Sequence, residues 1–522
     1  MDFKLTYATM FDPPRFMHEK FEAALADVER RMGATRELYI GGRDVTGVEH
    51  FTKHSPIDER MVLGEFPLAS AAQVDTAVGA AAAAFAAWSS TPPEERVRLS
   101  KKIAQMLESR VYHLAAALCL EVGKNRLEAL GEAQEAADFF RVYAEDYERN
   151  QYYQRTLPDD PIPKVRSHNR SVLKPYGVWA VIAPFNFPLA LAAGPTAAAL
   201  VTGNTVVLKG ATDTPWAGRL LADCLRDAGV PDGVFNYLTG GGEVVGERLV
   251  KHPTLAGITF TGSYDVGMRI CRYMVSGAYP RPCVAEMGGK NACVVTANAD
   301  LDRATAGIVR SAFGMGGQKC SALSRVYVDK RVADGLLGRI KHQLSTLRVG
   351  DPRKLENWLG PIISAGAAKK YDQCAKLLVD GGASITYGAT RLTHGDLSHG
   401  HYIAPTLAEA PADHPLYAQE MFLPILMLRR VEDIREAINA ANDSPLGLTA
   451  GFYGSESEGH YFLDHIQAGV TYLNRPQGAT TGAWPGYQAF GGWKGSGSTG
   501  KAIGSFYYLP QYMHEQSQTV VE

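Results

Sequence analysis

The chain has 522 residues, of which 46% are hydrophobic and 21% are charged. A single hydrophobic core stops growing at roughly 250–300 residues, so this length predicts roughly two to four domains, and the apolar content excludes intrinsic disorder. There are 53 Lys and Arg residues against 55 Asp and Glu, for a net charge of −2. This balance gives no reason to expect binding to nucleic acid or to a membrane surface.

The cysteines and the start of the chain bear on the compartment. The seven cysteines are scattered without a Cys-x-x-Cys spacing, which argues against a disulfide scaffold and against a metal site. No basic stretch followed by an apolar run opens the chain, and the most apolar stretch, residues 188–201, is too short to span a bilayer. We therefore expect a cytoplasmic protein with reduced thiols.

The first third of the chain is predicted to be mainly helical. Residues 1–35 are charged, partly helical in pattern, and interpreted as an N-terminal extension. Ser70, Asp75 and Thr76 are candidate capping residues ahead of an Ala-rich run, and residues 92–95 open a further helix.

Strand-like patterns become frequent from residue 150 onward. Residues 150–174 alternate and contain several Tyr and Pro, which favours an extended hairpin over a helix. From residue 177, short β-branched runs such as VWAVIAP and TVVLKG alternate with helical segments, and this alternation resumes after residue 290. The order predicts two parallel α/β units. Residues 506–521 are predicted to form a terminal strand.

Two glycine-containing turns follow predicted strands. The first runs from Gly240 to Gly246 and includes Gly242; glycines there let backbone N–H groups approach a phosphate at a helix N-terminus. The pattern is not the usual Gly-x-Gly-x-x-Gly fingerprint, and a plain tight turn is the alternative. A second turn, at Ser263 in FTGS, again joins a strand to a helix. Two such turns in one parallel sheet favour a dinucleotide site.

Cys320 is the candidate nucleophile among the cysteines. A buried cysteine is most often an inert packing residue, and Cys283 and Cys293 in strand-like runs fit that interpretation. Cys320 instead follows two glycines and has polar neighbours in GGQKCSALSR. We expect the cation of Lys319 to favour the thiolate, which is the nucleophilic form.

Glu286 and Asn186 are further candidates. Glu286 directly follows a strand-like run in AEMGGKN, where α/β proteins bind ligands, although a solvated surface residue is the alternative. Asn186 lies between aromatic and Pro residues in PFNFP. It is interpreted either as a turn residue or as a hydrogen-bond donor to a developing oxyanion.

Six motifs taken together resemble those of the aldehyde dehydrogenase superfamily. PFNFP, VVLKG, FTGS, EMGGK, GQKC and EMFLP occur in that family's order, and the resemblance extends from about residue 37 to 515. It implies an α/β fold with a Rossmann-like NAD(P)-binding domain, an α/β catalytic domain and a small β oligomerisation flap. The implied boundaries are 1–149 with 175–286, 287–498, and 150–174 with 499–522.

The resemblance also implies a reaction, the NAD- or NADP-dependent oxidation of a small aldehyde to a carboxylate by a homo-oligomer. Cys320 resembles the nucleophile that forms a thiohemiacetal and then a thioester. Asn186 and the backbone N–H of Cys320 would hold the oxyanion, and Glu286 would activate water for thioester hydrolysis.

The implied cofactor residues are less uniform. Lys209 would meet the adenosine ribose, and Ser263, with the Gly242 and Gly246 turn, the pyrophosphate; Glu420 and Phe422 would position the nicotinamide riboside. Where the family usually has Lys-Pro-x-Glu, this chain has Thr212 in place of the Glu, which removes a group that repels NADP. EMFLP also has Leu423 where the family has Gly.

Within the superfamily the chain is most similar to the 1-pyrroline-5-carboxylate (L-glutamate γ-semialdehyde) dehydrogenase group. There, the Ser after the nucleophile and a Gly-Ala pair anchor the substrate carboxylate, which implies roles for Ser321, Gly482 and Ala483, with Phe187 also at the substrate. Extra residues follow Arg475. Trp484 and Tyr487 could instead line an apolar pocket for an aromatic or aliphatic aldehyde. A CoA-acylating enzyme and a catalytically silent cofactor-binding protein are the remaining alternatives.

Overall fold

The structure, a computed structural model, describes residues 5–7, 9 and 13–522. Its strands, in chain order, are β1 (Leu38–Ile40), β2 (Arg43–Val45), β3 (Glu49–His54), β4 (Val62–Leu68), β5 (Gln154–Leu157), β6 (Ser167–Pro175), β7 (Val178–Ile182), β8 (Thr205–Lys209), β9 (Phe235–Leu238), β10 (Leu255–Thr261), β11 (Cys283–Glu286), β12 (Asn291–Val295), β13 (Leu323–Asp329), β14 (Ser384–Tyr387), β15 (Thr406–Glu409), β16 (Ile425–Val431), β17 (Leu446–Gly447), β18 (Thr449–Tyr453), β19 (Val470–Leu473), β20 (Trp493–Lys494) and β21 (Met513–Val521).

The α-helices are α1 (Arg15–Glu29), α2 (Ala71–Ser90), α3 (Pro93–Ser109), α4 (Val111–Val122), α5 (Arg126–Arg149), α6 (Ala190–Val201), α7 (Pro215–Ala228), α8 (Glu247–Val250), α9 (Tyr264–Val275), α10 (Leu301–Phe313), α11 (Ala333–Thr346), α12 (Ala365–Asp380), α13 (Ile434–Asn442) and α14 (Glu456–His465). Within the described residues, no helix is both long and apolar enough to cross a membrane.

The first large sheet has the order β11-β10-β7-β8-β9-β1-β2. Its strands β11 to β9 are parallel, and β1 joins β9 in antiparallel orientation. The chain runs outward from β7 to β8 and β9, and later returns to the other side of β7 with β10 and β11. The carboxyl ends of β7 and β10 therefore form the switch point at which α/β sheets bind ligands.

The second large sheet has the order β14-β15-β16-β13-β12-β18-β19 and is parallel except for the β14–β15 pair. β12 and β18 are buried along their whole length, as expected for strands covered by helices on both faces. With the first sheet, this arrangement confirms the predicted α/β class. The domain boundaries themselves stay a prediction.

A third sheet has the order β21-β6-β5 and is antiparallel. It confirms the hairpin predicted over residues 150–174. The terminal strand predicted over residues 506–521 is confirmed from Met513 onward, whereas residues 509–512 form a 3-10 turn instead. β1 to β4, in contrast, lie in residues 36–69, for which the sequence patterns made no prediction. Calls on residues 1–4, 8 and 10–12 of the predicted N-terminal extension lie outside the described residues.

Helix α2 begins as one of its candidate caps predicts. Ser70 is the N-cap and forms a capping box with Gln73. The prediction was wrong for Asp75 and Thr76, which lie inside the helix because it begins at Ala71, six residues before the Ala-rich run over residues 77–88.

Candidate active site

The first sheet places several predicted residues along one edge. Lys209 ends β8, Glu286 ends β11, and Ser263 follows β10 as the N-cap of α9. Asn186 lies a few residues beyond β7. Because these strands are parallel, their carboxyl ends meet at the same edge, at the switch point of the sheet.

Glu286 is held by backbone contacts while its carboxylate is left partly unsatisfied. The Glu286 carbonyl accepts a hydrogen bond from the Gly262 N–H at 3.1 Å, and Glu286 forms an isolated antiparallel β-bridge with Gly497. Among the described residues, Oε2 of Glu286 is buried without a hydrogen-bond partner. Burial raises the pKa of this carboxyl well above its ordinary value, and a hydrogen bond from the Gly492 backbone only partly offsets the effect.

Cys320 lies in a bent segment directly before β13. Gly316 and Gly317 have φ values of 64° and 66°, in the left-handed region that favours glycine. The amide of Asn291, the first residue of β12, donates to the carbonyl oxygens of Cys320 at 2.7 Å and Ala322 at 2.8 Å. A buried side chain of the neighbouring strand thus fixes the backbone on both sides of Ser321.

The Cys320 thiol is partly buried and lies close to two carboxylates. Burial raises its pKa to about 12, and the negative charges of Glu420 and Glu286 act in the same direction. The expectation that Lys319 favours the thiolate was wrong. Its ammonium group pairs with Glu128 at 3.1 Å, so its charge is neutralised by a carboxylate and does not lower the pKa of the thiol.

Asn186 is only 3% exposed. Within the described part of the chain, its side-chain amide makes no hydrogen bond to another residue. A buried amide without a partner costs free energy, so this geometry suits a donor that is satisfied by a bound molecule. The alternative interpretation, a residue that closes a local turn with its side chain, has no supporting hydrogen bond among the described residues.

Lys209, Thr212 and the Gly240–Gly246 turn lie together. The Lys209 Nζ donates to the Gly210 carbonyl at 3.0 Å, and its Cε lies 4.0 Å from the position of a Cβ on Gly246. The Thr212 hydroxyl donates to the Gly240 carbonyl at 3.1 Å. Burial lowers the pKa of Lys209 to about 8, partly opposed by the charge of Asp213. Gly242 opens a short π-helical turn, and a Cβ there would meet open space.

Ser263 is the N-cap of α9, but its side chain does not cap the helix. Its hydroxyl makes no capping hydrogen bond, so it can bind another acceptor, such as a phosphate oxygen. Gly267, one turn later, packs against the Met287 side chain, which a Cβ at this position would force to move. The helix N-terminus therefore lies close against the chain that follows Glu286.

Glu420 and Phe422 approach the nucleophile from the second sheet. Glu420 Oε1 accepts a hydrogen bond from the Gly289 N–H at 2.9 Å. Phe422 has a φ of 60° and stacks edge-on against Phe185, with ring centroids 5.8 Å apart. The segment after Phe422 contacts the loop that carries Cys320, residues 314–322, which we call the nucleophile loop. The contact is so close that a Cβ on Gly317 would collide with the Leu423 carbonyl. Leu423 itself is buried.

A cavity of about 140 Å³ reaches Cys320. Its lining includes each of the predicted substrate residues: Phe187, Ser321, Gly482 and Ala483. The structure thus brings together groups from three distant parts of the chain. Asn186 and Glu286 are not part of this lining. The Glu286 carboxylate, at the end of β11, lies close enough to the thiol to raise its pKa.

Residues 475–483 adopt a braced loop despite their extra length. The Arg475 guanidinium donates to the carbonyls of Thr481 at 3.2 Å and Gly482 at 3.1 Å. The Thr480 hydroxyl donates to the Ser321 carbonyl at 2.8 Å. Gly482 has a φ of 106°, which only glycine adopts without strain. The Gly-Ala pair is therefore fixed beside Ser321.

Trp484 and Tyr487 differ in position. Trp484 is 3% exposed, lines the cavity, and donates through Nε1 to Asp138 Oδ2 at 2.8 Å. Tyr487 is 68% exposed and does not line the cavity, so its interpretation as a pocket residue was wrong. The turn that follows Trp484, at Gly486, directs the next residues toward solvent.

Helix α5 supplies functional candidates that the sequence patterns missed. Glu128 and Glu135 line the cavity, and Glu132 accepts from the N–H groups of Leu189 at 2.8 Å and Ala190 at 3.2 Å. Glu132 also pairs with buried Lys124, whose Nζ lies 3.7 Å from the centre of the Phe187 ring. The spacing of Glu128, Glu132 and Glu135, four and three residues apart and therefore on one face of a helix, is the signal that could have revealed them.

The geometry supports thiol chemistry at a carbonyl carbon. It offers a cysteine, a buried carboxyl with a free oxygen, a free amide, and a sheet edge suited to a dinucleotide. Among the described ranges, no group of three or more His, Cys, Asp or Glu side chains is placed to hold a metal ion.

Comparison with known proteins agrees with this architecture. The model of the aldehyde dehydrogenase family matches residues 44–518, and the chain belongs to this family. It is 37% identical over 513 residues to a 1-pyrroline-5-carboxylate dehydrogenase of Geobacillus thermodenitrificans, covering 97% of this chain and 96% of the relative. It is 35% identical to 1-pyrroline-5-carboxylate dehydrogenase 2 of Bacillus subtilis, with coverages of 97% and 96%.

A solved structure is similar over nearly the whole chain. A 1-pyrroline-5-carboxylate dehydrogenase from Thermus, crystallised with bound NAD, superimposes with a TM-score of 0.92 at 34% identity. The similarity covers 98% of this chain and 97% of that one. These comparisons confirm the family predicted from the motifs, and they confirm that the chain is similar to 1-pyrroline-5-carboxylate dehydrogenases.

Proposed function

We propose that the protein oxidises L-glutamate γ-semialdehyde, the open form of 1-pyrroline-5-carboxylate, to glutamate with NAD or NADP. The observation that carries the proposal is the cavity, which joins Cys320 to Ser321, Gly482 and Ala483. The relatives and the solved structure bearing the name 1-pyrroline-5-carboxylate dehydrogenase support the same substrate.

Cys320, Asn186 and Glu286 each have a separate role in the proposed reaction. Cys320 attacks the aldehyde carbon, and the Asn186 amide with the Cys320 N–H binds the oxyanion that forms. After oxidation the substrate is a thioester of Cys320. Glu286 then takes a proton from water, and the water oxygen attacks the thioester carbon. The C–S bond breaks, which returns the sulfur to Cys320 and releases the carboxylate. The buried Oε2 of Glu286, without a partner among the described residues, is free for that water.

The residues at the sheet edge fit a dinucleotide. The Ser263 hydroxyl, which makes no capping bond, and the N-terminus of α9 suit the pyrophosphate. Lys209 and Thr212 suit the adenosine ribose, with the turn containing Gly242 and Gly246 beside them; Glu420 and Phe422, next to the nucleophile loop, suit the nicotinamide riboside. When bound, the cofactor supplies the hydride acceptor.

The substrate carboxylate has a matching site. The Ser321 hydroxyl makes no hydrogen bond within the described residues, and Gly482 and Ala483 offer backbone N–H groups fixed by Arg475 and Thr480. Hydrogen bonds to a charged group contribute roughly 1.5–3 kcal/mol each. Phe187 lines the same cavity and suits the aliphatic part of the substrate.

Initial rates with a set of aldehydes, each with NAD and with NADP, test the proposal. We expect the semialdehyde to exceed pentanal, a neutral aldehyde of equal length, by more than roughly tenfold in kcat/KM, about 1.4 kcal/mol. Glutamate should inhibit competitively. A higher kcat/KM for pentanal or benzaldehyde, without inhibition by glutamate, would move the protein out of the semialdehyde group.

An aromatic or aliphatic aldehyde is the second candidate substrate. Trp484, Phe187 and Phe490 line the same cavity and give it extensive apolar surface. The charged groups Glu128, Lys319 and Arg310 in this lining favour the polar substrate instead. Benzaldehyde in the aldehyde set distinguishes the two candidates.

We further propose a cytoplasmic homo-oligomer built on the third sheet. Free cysteines fit a reducing compartment. The sheet β21-β6-β5 exposes Leu157, Val520 and Val521, and its edge strand β5 is open to pairing. Residues 150–174 and 499–522 form the oligomerisation flap in this proposal, with 1–149 and 175–286 as the cofactor domain and 287–498 as the catalytic domain. Light scattering after gel filtration tests it; a monomeric mass would exclude it.

A further inference from the structure

The N-terminal segment contributes an aromatic residue to the aldehyde cavity. The Tyr7 phenol donates to Glu135 Oε2 at 2.9 Å. Its ring meets Trp484 edge-on, with centroids 5.0 Å apart, and Phe187 at 6.5 Å. All four residues line the cavity that reaches Cys320. Tyr7 therefore borders the space in which the aldehyde chain would lie.

The partners of Tyr7 are themselves held in place. The Trp484 indole is oriented by its hydrogen bond to Asp138, and Phe187 lies under the ammonium of Lys124. Helix α1, which follows the segment of Tyr7, is joined to α5 by an ion pair between Glu22 and Arg126 at 2.6 Å. A ring set among fixed neighbours gives the cavity a defined shape.

We propose that Tyr7 is a specificity-determining residue of this enzyme, limiting the length and bulk of the aldehydes that reach Cys320. The proposal rests on the proposed aldehyde oxidation. Removing the ring would leave a void next to Trp484, which a longer substrate can fill. The hydrogen bond has a second role, since without it the buried carboxyl of Glu135 loses a partner. Burial raises the pKa of Glu135 to about 8, so a donor at this position matters.

Substitution of Tyr7 tests the proposal with two aldehydes, octanal and pentanal. For Tyr7→Ala we expect the ratio of kcat/KM for octanal to that for pentanal to rise by roughly tenfold or more. Tyr7→Phe, which keeps the ring, should leave this ratio within about twofold of wild type. The matched control is Phe16→Ala, an exposed aromatic residue on α1. An unchanged octanal ratio in a Tyr7→Ala variant that still binds NAD would overturn the proposal.

The two proposals fail in different ways. If wild type does not prefer the semialdehyde to pentanal, the substrate assignment fails, while the octanal-to-pentanal ratio still reports on Tyr7. If the semialdehyde is preferred but Tyr7→Ala leaves the ratio unchanged, only the role of Tyr7 is lost.

A separate observation concerns two cysteines away from this cavity. Cys271 on α9 and Cys283, the first residue of β11, have sulfur atoms 3.0 Å apart and lie 12 residues apart in sequence. Both are partly exposed, while Cys119, Cys224 and Cys293 are buried. A disulfide needs an S–S distance of about 2.05 Å, so a small approach would join them.

We propose that Cys271 and Cys283 form a reversible disulfide on exposure to a disulfide oxidant such as oxidised glutathione. One thiolate attacks oxidised glutathione, breaks its S–S bond and releases one reduced glutathione, leaving a mixed disulfide. The second thiol then displaces the other glutathione, so that two electrons and two protons from the cysteines convert one oxidised glutathione to two reduced molecules. A hydrogen bond from Cys283 lowers the pKa of Cys271, which favours it as the attacking thiol.

Thiol counting and peptide mapping test this second proposal. After oxidised glutathione, we expect wild type to lose two of its seven free thiols, with no retained glutathione and one cross-linked peptide pair. Closing this loop should also raise the Tm, and dithiothreitol should reverse the rise. Cys283→Ser should instead retain glutathione on Cys271. An unchanged thiol count, or a cross-link that involves another cysteine, would overturn the proposal.

Discussion

The side-chain amide of Asn291 donates to the carbonyl oxygen of Cys320 at 2.7 Å, and so ties the start of β12 to the proposed nucleophile. The same amide donates to Ala322 at 2.8 Å and accepts from the Thr449 N–H at 3.0 Å. One buried side chain therefore joins three neighbouring segments, and the position of the thiol depends on it.

Asn291→Asp tests whether donation by this amide positions the thiol. A carboxylate has the same shape but cannot donate, and it would repel the two carbonyls. We expect kcat to fall by about tenfold or more with little change in the Kd of NAD, and the Tm to fall as well. Asn291→Ala should be no worse than Asn291→Asp. If Asn291→Asp keeps wild-type kcat, the amide has no positioning role.

Cys320→Ala is expected to abolish aldehyde oxidation and leave NAD(P) binding intact, because a thioester mechanism has no route without this sulfur. NAD(P)H absorbance measures activity, and calorimetry measures cofactor binding. Cys374→Ala, at a buried cysteine of helix α12, is the matched control. Substantial turnover by Cys320→Ala would move the nucleophile elsewhere.

Glu286→Gln should slow thioester hydrolysis far more than hydride transfer, by about 10²–10⁴-fold. Stopped-flow traces should then show a burst of NAD(P)H followed by a slow steady state. Glu456→Gln, at an exposed residue that begins α14 and has no proposed role in the site, should behave as wild type. Equal losses in burst and steady-state rates would indicate a structural role.

The pH dependence of hydrolysis follows from the raised pKa of Glu286. A raised pKa keeps the carboxyl protonated to higher pH, and only the ionised form can accept a proton from water. The steady-state rate should therefore rise with pH through a pKa well above the ordinary value of 4.5 and be lost as pH falls. Glu286→Gln should remove this rise, and its persistence in that variant would assign it to another group.

Thr212 should permit both cofactors. A Glu at this position would bind the ribose hydroxyls of NAD and repel the extra phosphate of NADP, whereas Thr212 bonds to Gly240 and leaves the cation of Lys209 available. We expect kcat/KM values for NAD and NADP within roughly tenfold of each other. Thr212→Glu should shift the ratio toward NAD. A native enzyme that excludes NADP far more strongly would contradict this interpretation.

Ser321→Ala should reduce the preference for an acidic substrate. The variant loses one hydrogen bond to the carboxylate, so kcat/KM for the semialdehyde should fall by roughly tenfold while that for pentanal stays nearly constant. Ser324→Ala, on β13, is the matched control. Equal losses for both aldehydes would show that Ser321 acts on the nucleophile loop and not on the carboxylate.

Residue patterns along the chain were sufficient to identify the family and to predict most of the local structure. Ordered motifs around Asn186, Glu286 and Cys320 indicated aldehyde dehydrogenase chemistry, and the family match agrees. Alternation predicted the hairpin over residues 150–174 and the last strand, because period-two patterns are local. Local patterns did not reveal β1 to β4, since β1 and β2 have only three residues each and β3 is mostly exposed.

Which of these residues lie close together depends on how the two large sheets and the helices are oriented. Cys320 precedes β13, at the amino end of its strand, and it reaches the site only because the second sheet presents that end to the carboxyl end of the first. Lys319 pairs with Glu128 across 191 positions, and Tyr7 with Glu135 across 128. Such pairs depend on how whole helices and sheets are oriented, and residue spacing along the chain carries no information about that orientation.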